Sequence, residues 1–216
     1  MNACRSVCAV LTVLLLAGCQ TSRFADLVTR PGDPLFKDDF SDPSSGWIRT
    51  KNPAKTGVMD YDQGTFRMLV LERNYDLWSV PGLDFQDARI EVGARRLGGP
   101  LENRFGIICR FRSSQDYYFF VVSSDGYYAI GKVSQGVTSL LGQAMMAYSQ
   151  AIVLGDGQNH LRFDCIGRML TGFVNGQAVA MVADADYSEG DVGLLVGTFD
   201  APGADVAFDH FIVIKP

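Results

Sequence analysis

Between Phe105 and Ser134 the sequence sets three cations, Arg110, Arg112 and Lys132, among aromatic and β-branched residues at alternating positions. Alternation is the period of a strand, whose successive side chains point to opposite faces. A four-residue loop over 113–116 and a two-residue turn at Asp125-Gly126 would put Arg110, Tyr117, Tyr128 and Lys132 on one face, with Phe119 and Val121 between them. Ile107, Cys109, Phe111, Tyr118 and Phe120 would then line the opposite, core face. A surface mixing rings and cations suits sugars. Aromatic rings cover their C–H faces, while guanidinium and hydroxyl groups bond their oxygens. Guanidinium also favours ligands carrying carboxylates, such as uronic acids. Trp78, in Asn74-Tyr-Asp-Leu-Trp-Ser79 near a loop, is expected to add a stacking platform at the rim. The same residues also read as a solvated face whose long stems cover apolar neighbours. The arrangement depends on register, because a one-residue slip moves a whole strand's side chains to the other face.

Catalysis asks for more than this. Glycoside chemistry uses two carboxylates about 5–9 Å apart, and Glu91 stands alone among Val, Gly and Arg residues. Glu72, Glu102 and Glu189 are scattered near turns, and neither of the 2 histidines, His160 and His210, accompanies a Gly-x-Ser-x-Gly elbow. No residue is assigned a catalytic role, and the chain reads as a binder before an enzyme. A pair assembled from distant strands stays open. Asp184-Ala-Asp-Tyr-Ser-Glu-Gly190 resembles an EF-hand loop only superficially, since its glycine falls seventh and Leu195 stands where the closing glutamate belongs. Asp39, near the first strand, and Asp209, near the last, would meet if the terminal strands pair. They are the acids expected to hold a structural calcium, although turn and capping roles account for them equally well. No other cofactor is required.

The first residues read as an address. Val7 to Gly18 form an apolar run broken only by Thr12, short of the roughly 20 residues a spanning helix needs and of the length of a signal-peptide core. It ends Leu16-Ala17-Gly18-Cys19, which resembles a bacterial lipobox. That resemblance implies cleavage after residue 18 and a lipid on Cys19, with Gln20 fitting outer-membrane sorting in a Gram-negative cell. Residues 1–18 are then a leader, 19–34 a polar, turn-rich tether, and 35–216 the folded domain. The expected location is the bacterial cell envelope, reached through a lipid anchor in the membrane. Cys109 and Cys165 remain from 5 cysteines. In an exported protein they form a disulfide if their strands are neighbours, or stay two buried thiols, and both remain open.

Everything after residue 35 reads as short antiparallel strands. Ala88-Arg-Ile-Glu-Val-Gly-Ala-Arg95 alternates cleanly, and similar runs occur near 65–72, 104–112, 116–123, 127–134, 150–154, 159–166, 169–175, 177–183, 191–199 and 205–214. Asp125-Gly126 and Asn175-Gly176 lie between such runs as hairpin signals. About a dozen strands and no capped helical period predict an all-β antiparallel sandwich or jelly roll. Several stretches are similar to concanavalin A-like lectin and glucanase domains, most of all their laminin-G-like branch with the 3-keto-disaccharide hydrolase relatives. They are Phe36-Lys-Asp-Asp-Phe-Ser-Asp-Pro-Ser-Ser-Gly-Trp47, Phe105-Gly-Ile-Ile-Cys-Arg110 with Tyr117-Tyr-Phe-Phe120, Phe173-Val-Asn-Gly176 and Val206-Ala-Phe-Asp-His-Phe211. The resemblance implies two curved sheets and a carbohydrate ligand. The Glu-x-Asp-x-x-Glu strand of the glucanases is missing, which puts hydrolysis in doubt.

With 19 basic against 24 acidic residues, a net charge of −5 and no basic run, the chain lacks the footprint of a nucleic-acid binder. The expected function is a lectin-like domain on an envelope lipoprotein, with a carbohydrate or envelope glycan as partner. A glycoside hydrolase or lyase of the same fold, and a module that binds a protein partner or serves structurally, are the alternatives.

Overall fold

The computed structural model describes residues 29–50 and 56–216. The expected leader, Cys19 and the tether as far as residue 28 lie outside the described residues. In chain order the strands are β1 (Pro34–Asp38), β2 (Gly57–Asp62), β3 (Thr65–Val70), β4 (Asp76–Ser79), β5 (Ala88–Gly98), β6 (Asn103–Ser113), β7 (Asp116–Val122) and β8 (Tyr127–Ser134). Then follow β9 (Val137–Leu140), β10 (Ala147–Tyr148), β11 (Asn159–Ile166), β12 (Met169–Val174), β13 (Gln177–Ala183), β14 (Asp191–Thr198) and β15 (Ala204–Ile214). All pairings are antiparallel, and among the described residues there is no helix.

One sheet of eight strands runs β13-β12-β11-β5-β15-β3-β2, with β1 beside the far half of β15. The other, of seven, runs β10-β8-β7-β6-β14-β4, with β9 beside β8. The first and last strands pair, Asp38 opposite Phe211, and order reaches back into the expected tether where the Gly32 N–H donates to the Lys215 carbonyl at 2.8 Å. Among the described residues, every strand of both sheets lies within residues 34–214.

Alternation explains the core. Ile90 and Val92 of β5, Leu161 and Phe163 of β11, and Val206 and Phe208 of β15 face Ile107 of β6, Tyr118 and Phe120 of β7, and Leu194 of β14. Trp47 is buried with them and donates its indole N–H to Asp38 at 2.8 Å, which satisfies the one polar atom that burial would otherwise orphan. Cys109 and Cys165 come from opposite sheets and are joined as a disulfide across this core. Closing a loop 56 residues apart restricts the unfolded chain by about 4 kcal/mol in the chain-entropy account.

Most expected strands form. The exception is 150–154, which turns instead, tucking Ile152 into the core while Val153 donates its N–H to Asn159. Strands β2, β4, β9 and β10 were not expected. In β7 and β14 the usual half-buried pattern fails, because all of β14 and all but the first residue of β7 are buried. An antiparallel strand covered on both faces means that something lies on the outer side of the seven-stranded sheet.

Candidate ligand-binding site

The outer face of the seven-stranded sheet carries a second apolar cluster, separate from the core. Ile108, Phe119 and Gly131 form one row across β6, β7 and β8, and the Phe119 ring lies over Gly131, where a Cβ would collide with it at 2.3 Å. Val121, Ala129 and Leu195 continue the floor, with Trp78 of β4 opposite Leu195. Leu140 of β9 and Met146, just before β10, close over it from one side. An aromatic strip crosses the face. The Trp78 ring centre lies 4.7 Å from that of Phe111, with the planes tilted by 44°; Phe111 lies 5.5 Å from Tyr117, and Tyr117 lies 6.4 Å from Phe119.

Next to the strip is a cleft of about 220 Å³ between the sheet and the Leu140–Met146 arm. Its charged groups are at one end, and Thr138 of β9 adds a hydroxyl to the lining. The Arg104 Nε–H donates to Asp76 at 2.6 Å, and the guanidinium sits 4.7 Å from the centre of the Phe199 ring. The pair spans β14 at Gly197, whose missing side chain leaves the room it occupies. Tyr117 is 3% exposed, and its hydroxyl has no hydrogen-bond partner among the described residues. Burial raises its pKa well above the usual phenol range, and the Asp76 carboxylate adds to the shift.

Two of the expected binding residues, Trp78 and Tyr117, thus come together on this face. Arg110, Tyr128 and Lys132 do not, and two departures in register explain why. The tip of the first hairpin pairs as expected, Ser113 with Asp116, but a bulge over 110–112 follows, and Arg110 takes a left-handed φ of 51°. The bulge exchanges two side chains. Phe111 moves out of the expected core face onto the aromatic strip, and Arg110 turns inward to 2% exposure. There its guanidinium donates to the carbonyls of Tyr187 (2.9 Å), Gln86 (3.2 Å) and Cys165 (3.4 Å) and to the Asp87 carboxylate (3.2 Å). Burial lowers its pKa, and Asp87 works against that.

The second hairpin closes through three residues instead of two, since the Ser123 N–H donates to the Tyr127 carbonyl at 2.8 Å. Val122 then faces Tyr128, and every β8 side chain changes sides relative to the expected register. Tyr128 packs at the margin of the core, and Lys132 lies on the Tyr118 side of the sheet. Lys132 donates to Asp184 at 2.6 Å and to Asp186, while the Tyr118 hydroxyl also donates to Asp184. Burial disfavours the Asp184 carboxylate, yet the Lys132 and Tyr118 hydrogen bonds hold its pKa below the ordinary value. Burial and the Asp184 bond push the Tyr118 phenol up to about 12.

Asp39 accepts from the Ser41 N–H (3.0 Å) and hydroxyl (2.6 Å), and those bonds lower its pKa. Asp209 lies 2.6 Å from the ring nitrogen of its neighbour His210. Among the described residues no three His, Cys, Asp or Glu side chains are gathered to hold a metal ion. His160 is exposed with its Nε2 3.4 Å from Glu91, on the eight-stranded sheet away from the cleft.

Arg104, Asp76, Phe111, Leu195, Leu140 and Met146 were not anticipated as site residues. One signal was present. Tyr117-Tyr-Phe-Phe-Val-Val122 and Val192-Gly-Leu-Leu-Val196 carry apolar residues at both parities, the mark of a strand covered on both faces.

No known family's sequence model matches the chain, and no curated protein matches it. Solved structures do. The carbohydrate-binding module CBM66 of Bacillus subtilis aligns with a TM-score of 0.59 at 16% identity, over 79% of this chain and 96% of that one. A Bacillus subtilis protein of unknown function with a galectin-like fold gives 0.65 at 11% identity, over 86% and 97%. The β-glucanase of Bacillus licheniformis gives 0.60 at 10%, over 84% and 98%. The chain is an all-β, concanavalin A-like jelly-roll sandwich, a fold that serves both carbohydrate-binding modules and glycoside hydrolases.

Proposed function

We propose that this protein is a glycan-binding module that acts without turnover and uses the outer face of the seven-stranded sheet. The observation that carries the reading is the half-buried pair Trp78 and Phe111, backed by the buried Tyr117, beside the Arg104–Asp76 pair: aromatic surface with directional hydrogen-bonding groups at its side. Carbohydrate-binding modules among the similar folds support the class of ligand. Binding is favoured over hydrolysis because Asp76 is the one carboxylate lining the cleft among the described residues, whereas glycoside cleavage uses two. The chain's leader-like start extends the proposal. A lipid on Cys19 would hold the domain at a bacterial envelope membrane, in the outer membrane of a Gram-negative cell, each buried CH₂ contributing about 0.8 kcal/mol.

The test is a glycan array probed with residues 20–216, which contain every described strand of both sheets, alongside Trp78→Ala. Specific binding that Trp78→Ala removes supports the reading, and a blank array from folded protein refutes it. Repeating the array with chelator asks whether calcium near Asp39 and Asp209 takes part. A second reading, docking of a protein partner, is favoured by the exposed pair Tyr127 and Tyr148, with ring centres 5.7 Å apart, and by Leu154 beside them. A blank array followed by a partner lost on Tyr148→Ser would move the assignment there.

A further inference from the structure

We infer that the cleft takes the acetamido group of an N-acetylated sugar; this rests on the outer face being the glycan face and names the sugar class it selects. The argument starts from what the cleft lacks. Beyond the charged pair only Thr138 offers a side-chain hydrogen bond; Phe119, Val121, Ala129, Leu195, Leu140 and Met146 offer none, so a bare sugar ring pushed between them would leave most of its hydroxyls without the water they had. A mainly apolar substituent gains most by entering. The volume of about 220 Å³ accommodates such a group with room to spare.

The polar end then says what must adjoin that substituent. Arg104 bonds Asp76 through Nε alone, so its two terminal nitrogens are unpartnered among the described residues, as is the second oxygen of Asp76. A donor and an acceptor therefore stand side by side. In a trans amide the carbonyl and the N–H leave opposite edges, so an acetamido group uses the donor: its carbonyl accepts from Arg104 while the methyl on the same carbon enters the apolar part, and a neighbouring ring hydroxyl donates to Asp76. An ester-linked acetyl group, lacking amide resonance, presents a weaker acceptor to Arg104. A free amine would bring a charge to an apolar cleft. A uronic acid meets an arginine whose charge Asp76 already balances, and the same carboxylate repels it.

The measurement is a titration of residues 20–216 with the N-acetylglucosamine and N-acetylgalactosamine trisaccharides, the de-acetylated glucosamine trimer, an unsubstituted glucose trimer and a galacturonate trimer. It is followed by tryptophan emission, to which Trp78 contributes on this face and Trp47 from the core, and by saturation transfer to ligand protons. The expected result is binding of an N-acetylated member at least tenfold tighter than its unsubstituted counterpart, with the strongest transfer to the acetyl methyl. Arg104→Ala lowers that affinity about tenfold. Asp76→Asn keeps the size of the side chain but releases the charge of Arg104, and the variant gains measurable affinity for galacturonate; a purely structural ion pair would not invert selectivity. Equal binding of the substituted and unsubstituted trimers, with Trp78 responding, overturns the acetamido assignment and leaves the glycan face standing. Sugar binding that survives Trp78→Ala unchanged overturns the choice of face, and the inference with it. No binding by any sugar on the panel or the array overturns both.

Discussion

Strand β6 carries three guanidiniums, and two of them, Arg104 and Arg110, have opposite fates. Arg110 is drawn inward by a bulge, and its nitrogens are occupied by three backbone carbonyls and Asp87, next to the disulfide that ties the sheets. Arg104 stays on the outer face, held through one nitrogen by Asp76 and propped on Phe199. Residue type is the same in both places. What separates a structural tie from a recognition group is how many donors the protein has already used. A saturated arginine fixes the chain that surrounds it, whereas an arginine held by one bond is positioned and still has donors to offer.

The comparison can be broken at either end. The largest expected effect is at the saturated end: Cys109→Ser with Cys165→Ser lowers unfolding free energy by about 4 kcal/mol in denaturant melts under oxidising conditions. Arg110→Ala comes next, at about 3 kcal/mol, because it orphans buried carbonyls and leaves a cavity. Arg104→Ala, by contrast, changes stability by less than about 1 kcal/mol while removing most ligand affinity. A matching stability loss in the two arginine variants would erase the distinction drawn above. The smallest effect concerns pH. The Asp184 carboxylate is held ionised by Lys132 and Tyr118, so its contribution is present above the ordinary aspartate range and fades as pH falls through about 4 and below. The thermal midpoint of Lys132→Met should therefore fall about 2 °C less than that of the parent between pH 6 and pH 3.

The fold was largely legible and the site only half so, and particular residues show why. Strands such as β11 and β13 announce themselves by length and flanking turns. The four residues of β9 are all at least partly exposed, so no burial pattern marks them and only the pairing with β8 defines them. Asp125-Gly126 is a strong hairpin signal, but Ser123 sits just ahead of it. Its hydroxyl accepts the Tyr127 N–H at 3.0 Å and donates to Asp125, favouring a loop one residue longer. That one residue moved Tyr128 and Lys132 off the outer face. The bulge at Arg110 has no local sequence mark at all; it follows from tertiary partners on the 86–87 and 187 segments, which no reading of β6 alone contains.

Strand β14 has both faces covered and both edges paired, by β6 and β4. Its amide protons can meet solvent only when the whole domain opens, so they should be among the last to exchange. The arm above it is the reverse, with Met145 77% exposed. A descendant of this protein can rewrite the arm, residue by residue, without touching the floor on which the proposed ligand would rest. Selection for a new ligand would leave its record in 138–146 and spare 191–198.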